Sequence, residues 1–119
     1  MKFPKEPKKK KIRRHGKSIL DVKDGTCFLC EYLESDRSKK GTLHKHHIFG
    51  GPNRWKSEED GLFVWLCVYH HETGITAVHR NSDIMQMMHE IGQEAYERIH
   101  SRREFMERYG RNYIDDDLS

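Results

Sequence analysis

Three histidines fall within four positions, His44, His46 and His47, and a glycine pair, Gly50-Gly51, follows them. Neutral imidazole is a good ligand for borderline divalent cations, and a pKa near neutrality also suits it to taking a proton from water. Adjacent histidines can therefore divide two functions, one ring holding a metal while the other acts as base. The competing reading of the same stretch is a solvated, His-rich turn.

A second constellation surrounds the first. Cys27 and Cys30 form a Cys-x-x-Cys pair, and after 36 intervening residues Cys67 and His70 repeat the two-residue spacing. Three sulfurs and one imidazole make a four-ligand set suited to tetrahedral zinc. The alternatives are two buried free thiols or a redox pair, although a thioredoxin-like motif needs an accompanying strand and helix pattern that this chain lacks. A metal clip across so long a loop stabilises by closing it. His71 cannot easily join the tetrahedron of its neighbour, which leaves it, with His79, free to serve a second metal.

The elements that must position these groups follow from pattern and punctuation. Residues 42–49 read as a strand with Leu43, Lys45, His47 and Phe49 on one face and His44, His46 and Ile48 on the other. His46 and His47 then share a site only if the strand twists or ends at Gly50-Gly51-Pro52. His44 reads as an exposed strand histidine, with a ligand role as the lesser alternative. Residues 31–41 read as loop, 53–61 as a long polar turn, and 62–67 as a buried strand that completes a hairpin. Asn81-Ser82-Asp83 opens a helix in which Ile84, Met88, Ile91, Ala95 and Ile99 recur at helical spacing, a Met-rich stripe destined for the core. Ser101 and Glu104 match a capping box for a further helix ending near Gly110, so that helices occupy 82–110. Residues 111–114 are expected to dock back, and Asp115, Asp116 and Asp117 form a solvated end.

Composition limits the size of the core. With 119 residues, 34% of them hydrophobic, and a mean hydropathy of -0.97, the chain reads as one small domain, residues 18–119, that benefits from a metal staple. The net charge of +3 is unevenly spread. Residues 1–17 hold nine Lys or Arg against one Glu, so the rest of the chain is acidic on balance. That segment is expected to be a disordered basic tail whose Lys8, Lys9, Lys10, Lys11, Arg13 and Arg14 bind a polyanion through counterion release. A solubilising tail and a nuclear import signal are the alternatives. Lys39, Lys40, Lys45, Arg54 and Lys56, with Arg37, bracket the histidines without an intervening acid, and favour nucleic acid as the partner. No apolar run reaches membrane-spanning length, and no hydrophobic signal region follows the first lysines. An odd number of cysteines fits a reducing compartment better than a disulfide framework.

The residues Cys27-x-x-Cys30, His46-His47-Ile48 and Leu66-Cys67-x-x-His70-His71, with weaker similarity at 48–54 and 77–81, resemble the zinc-stapled HNH endonucleases of phages and prophages. The resemblance covers roughly residues 27–81. It implies an α+β fold, a small ββα-metal domain with a structural zinc and its knuckles and hairpin over 25–71. It also implies hydrolysis of phosphodiester bonds in DNA, in the cytoplasm of a bacterial host. By position, His46 would bind the catalytic metal (Mg2+, Mn2+, Ni2+ or similar), His47 would be the general base, and His71 would complete the metal site with His79 as a further ligand. His47 would be oriented by a backbone carbonyl through its other nitrogen. One departure stands out: the family's central asparagine belongs near Gly61 and Leu62, neither of which can hydrogen-bond across the loop, and Asn53 is the available brace.

The rival class is a non-catalytic zinc module that binds nucleic acid through its tail and hairpin. A third reading is an adaptor that uses the Met-rich helix, which requires an exposed apolar patch. Oligomeric state is not encoded in any of these patterns.

Overall fold

Strand β1 (His44–His47) and strand β2 (Phe63–Leu66) pair antiparallel, with His44 opposite Leu66, Lys45 opposite Trp65, His46 opposite Val64 and His47 opposite Phe63. The computed structural model that contains this hairpin describes residues 16–114. Lys8, Lys9, Lys10, Lys11, Arg13 and Arg14, and the acidic residues at 115–117, lie outside the described residues. The pleat puts His44 and His46 on one side with Val64 and Leu66, and Lys45 and His47 on the other with Phe63 and Trp65. Both strands are shorter than the sequence pattern implied. Ile48 still donates to the Leu62 carbonyl at 3.0 Å, after which Pro52 sits in a 3-10 turn over Gly51–Asn53.

Two segments expected to be irregular are helical. Helix α1 (Phe28–Glu34) begins at Cys27, whose sulfur accepts the Cys30 N–H at 3.4 Å, and ends at Ser35 in the left-handed region. It buries only Leu29 and Cys30, too few positions to leave a periodic pattern. Helix α2 (Arg54–Asp60) replaces the polar turn between the strands. Its one buried residue is Ser57, so tertiary bonds rather than an apolar stripe hold it. Gly61 ends α2 at φ 72, and a side-chain Cβ there would stand 2.7 Å from the Lys17 carbonyl oxygen. Glycine is therefore required at the position where the family resemblance looked for asparagine.

After β2 a π-helical turn, Tyr69–Thr73, carries His70 and His71. The chain then folds back on it, with Val78 N–H donating to the His70 carbonyl at 2.8 Å and His79 N–H to that of His71 at 3.3 Å. Helix α3 (Ser82–Tyr96) starts at the Asn81 cap and helix α4 (Arg102–Tyr109) at a complete Ser101–Glu104 capping box. Ile84, Met88 and Ala95 of the Met-rich stripe are buried. Ile99 is not: α3 stops at Tyr96 and Ile99 is 78% exposed.

The helices clamp the loop that follows the histidines. The Phe49 ring lies against Phe105, Tyr109, Tyr113 and His89, and Gly92 lets α3 approach Ile48 where a Cβ would come within 2.6 Å of its Cγ2. Asp60 joins α2 to α4 by accepting from Arg108 at 2.7 Å and from the Tyr109 hydroxyl at 2.5 Å. The 111–114 segment docks as expected, Tyr113 N–H donating to Gln93 Oε1 at 2.7 Å. The outer edge of β2 is covered by side chains: Ser18 Oγ donates to the Phe63 carbonyl at 2.5 Å, and Asp21 Oδ2 accepts the Trp65 N–H at 3.0 Å. The result is a small α+β domain with a two-stranded sheet, and no described helix is long and apolar enough to cross a membrane.

Candidate functional site

The first centre lies at the base of the hairpin. Cys27, Cys30, Cys67 and His70 offer ligand atoms that all lie within 4.8 Å of one another. His70 Nδ1 stands 3.3 Å from the Cys30 sulfur, 3.6 Å from that of Cys67 and 3.8 Å from that of Cys27, while the Cys30 and Cys67 sulfurs are 3.8 Å apart. A tetrahedron with zinc–sulfur bonds of about 2.3 Å and a zinc–nitrogen bond of about 2.0 Å has edges of roughly 3.5 to 3.8 Å. The quartet matches those edges and could hold zinc.

Its surroundings are those of a metal ligand set. The Cys67 N–H points at the Cys27 sulfur at 3.3 Å, and the Glu34 carboxylate sits 3.4 Å from His70 Nε2, a buried nitrogen that makes no hydrogen bond. Burial pushes the Cys30 thiol up to about 12, with the neighbouring sulfurs adding to the rise. Without a cation Cys27 and Cys30 are pushed toward keeping their protons; a divalent ion reverses that preference.

The second centre lies on the opposite side of the same π-helical turn. His46, His71 and His79 bring ring nitrogens within 4.8 Å of one another. His46 is buried, its Nε2 has no hydrogen-bond partner, and burial together with His71 and His79 lowers its pKa to about 3. A neutral ring with an orphaned buried nitrogen aimed among two other imidazoles fits a divalent cation. His71 is likewise held below the usual range, by burial first and then by His79.

His44 departs from its expected place on an exposed strand face. Its Nδ1 stands 3.0 Å from His71 Nδ1, because the strand alternation that aims His46 at His71 aims His44 there too.

His47 points to the other face of β1, yet both rings line one cavity of about 350 Å3 together with Arg54, His71, His79, Met85 and His89. β1 ends at His47, and the pocket lining continues past that end through Ile48 and Gly50. His47 Nε2 bonds Glu58 Oε1 at 2.6 Å, and Arg54 Nε donates to Nδ1 at 3.4 Å. The orienting group is thus a carboxylate from α2 rather than a backbone carbonyl.

The basic residues that bracket the histidines in sequence disperse in space. Lys45 and Arg54 line the pocket, Lys45 bonding Glu58 at 2.9 Å. Lys39 bonds the Asp24 carbonyl and Lys40 the Asp36 carboxylate, both in the loops before β1, and Arg37 pairs with Glu31. Lys56 donates to the Arg108 carbonyl at 2.6 Å, on α4. Asn53, the anticipated loop brace, bonds the Tyr109 carbonyl instead.

The brace is Ser57. Its hydroxyl accepts the Phe49 N–H at 2.9 Å and donates to the Phe49 carbonyl at 3.0 Å, pinning the loop beyond His47 from both sides. Ser57, Glu58 and His89 are site residues that sequence reasoning missed. The punctuation for α2 was present in Pro52, Asn53 and Gly61, and a helix there would have placed Ser57 and Glu58 within reach of the strand.

No protein-family model matches this chain, and no curated protein and no solved structure matches it either.

Proposed function

We propose that this chain is a metal-dependent endonuclease of the HNH type, hydrolysing phosphodiester bonds in DNA with His47 as general base. The observation that supports it is the pocket itself. A histidine pinned by a carboxylate shares one cavity with three clustered imidazoles, and a separate Cys3His cluster lies behind them. A structural zinc module has no need for that second cluster.

Glu58 keeps the His47 proton on Nε2, so Nδ1 carries the lone pair that receives a proton from water. Arg54 covers that lone pair in the free protein. An arriving phosphodiester draws the guanidinium onto its oxygens, which uncovers Nδ1 where the attack begins. His46, His71 and His79 would hold a divalent ion, and its Lewis acidity would supply stabilisation of the negative charge that develops at the phosphate and the leaving group. An all-imidazole set favours Mn2+, Ni2+ or Co2+ over Mg2+. The basic tail, with Lys8, Lys9, Lys10, Lys11, Arg13 and Arg14, adds sequence-independent affinity for the strand.

The test is nicking of supercoiled plasmid and cutting of circular single-stranded DNA in Mg2+, Mn2+, Ni2+ and chelator, with His47→Ala purified in parallel. Metal-dependent nicking by the parent and none by the variant is the expected result. No cutting by either, with equal DNA binding, supports the zinc-stabilised binding module instead.

A further inference from the structure

We infer that the outer face of the hairpin is a stacking groove for an unpaired base, and that the proposed nuclease acts on single-stranded DNA or on a duplex bearing a single-stranded arm. The inference takes its polymer from the nuclease reading and deepens it.

The groove has a volume of about 560 Å3 and runs between β2 and the segment that enters the domain at Gly16. Its floor offers one open aromatic ring, the half-buried Trp65, which meets the buried Phe63 edge to face at 5.5 Å between centroids. Its far wall is Val22, 72% exposed. Cations surround this apolar floor: Lys45 Nζ lies 4.0 Å from the Phe63 centroid, Lys23 Nζ lies 5.9 Å from that of Trp65, and Lys17 stands at the rim. The one acid in the lining, Asp21, accepts the backbone N–H groups of Val22 and Trp65 and so serves the strand edge.

An aromatic surface ringed by lysines suits a flat, neutral ring carried on a phosphate backbone. A base inside a duplex presents no free face, so the groove admits only an unpaired one.

Two further observations give the strand a direction. Lys45 lines both this groove and the histidine pocket. Lys45 and His47 are two apart on β1, a separation of about 7 Å, so one strand can lay a base on Trp65 and present a neighbouring phosphate to His47. The chain leading into Gly16 carries eight Lys or Arg and one Glu in residues 1–15, and it joins the domain at the groove's rim. Polyanion-binding charge is therefore tethered where the strand would leave.

Trp65 can report its own occupancy, because Trp55 is the only other tryptophan. The full-length, zinc-loaded His47→Ala/Trp55→Phe protein is titrated with oligo-dT, with oligo-U and with a DNA duplex of equal length. Oligo-dT is expected to quench Trp65 emission and the duplex to leave it unchanged. In the His47→Ala background, Trp65→Ala weakens oligo-dT binding by roughly 5- to 150-fold, the range of one base–aromatic stack, and leaves duplex binding within about two-fold; Trp65→Tyr restores most of the loss.

Binding of oligo-dT without quenching overturns the inference, as does equal weakening for strand and duplex, or tighter binding of oligo-U than of oligo-dT. It also fails if deleting residues 1–15 alters Trp65 emission without DNA and strengthens oligo-dT binding, since the tail would then be the occupant. Cutting of circular single-stranded DNA by the parent without quenching removes the groove alone, whereas quenching with neither plasmid nicking nor cutting of circular single-stranded DNA removes the nuclease reading and leaves the groove.

Discussion

His47 and Glu58 are the residues on which the proposed chemistry turns. Glu58→Gln keeps a similar shape and loses the charge that steadies the imidazolium formed on proton transfer. It is expected to lower nicking about 10- to 100-fold while the melting temperature stays within a few degrees of the parent. Plasmid nicking and thermal melting, run on the same preparation, check both parts. Ser57 acts on the backbone instead. Its hydroxyl is buried and satisfies both polar groups of Phe49, so Ser57→Ala leaves an N–H and a carbonyl without partners. A cost of about 1–3 kcal/mol follows, measured by denaturant titration, with nicking reduced because the loop after the base loosens. The histidines are legible in the sequence because imidazoles at this density are chemically conspicuous. Glu58 and Ser57 are not, because an isolated carboxylate or hydroxyl in a polar stretch has no such signature until the backbone places it.

Hydrophobic pattern explains which elements were legible. The strand over 63–66 lies in a continuous apolar run and the helix opening at Asn81 carries a periodic apolar face, and both are in the structure. Helices α1 and α2 bury two residues and one residue respectively, so they carry almost no period, and ligands and hydrogen bonds hold them. For α1 the sulfur cluster is part of that hold, which leads to a pH prediction. The Cys30 thiol rises from its ordinary 9.0 to about 12 in the metal-free fold, so below pH 9 folded and unfolded states are both protonated there. Above that, unfolded thiols ionise first, and the metal-free protein loses stability as pH climbs from 9 toward 12. Zinc must displace those protons, so loading at neutral pH releases protons and its affinity falls on acidification. A pH indicator in a weakly buffered zinc titration, followed by alkaline melts of the loaded and stripped protein, measures both effects. Absence of proton release would argue against thiolate ligation.

At the scale of the whole molecule, two centres with different duties predict different consequences of losing each. The parent is expected to bind two divalent ions per chain by elemental analysis of metal-saturated protein. His79→Ala should lose one of them, along with nicking, and keep the fold, since His79 is exposed and its ring meets only His46 and His71 among the aromatic contacts of the described residues. Cys30→Ser should lose the other and lower the melting temperature well below that of the parent, because Cys30 belongs to the buried cluster that joins α1 to the π-helical turn. That turn gives the two centres a common support. His70 and His71 are consecutive residues of one backbone loop, the first turned toward the sulfurs and the second toward the triple-histidine pocket. A newly synthesised chain whose sulfurs are still empty holds His71 only through the hydrogen bonds of that turn and its neighbours, so the proposed cutting activity is expected to rise when zinc arrives. Metal supply to the cell would then set the moment at which this protein becomes dangerous to DNA.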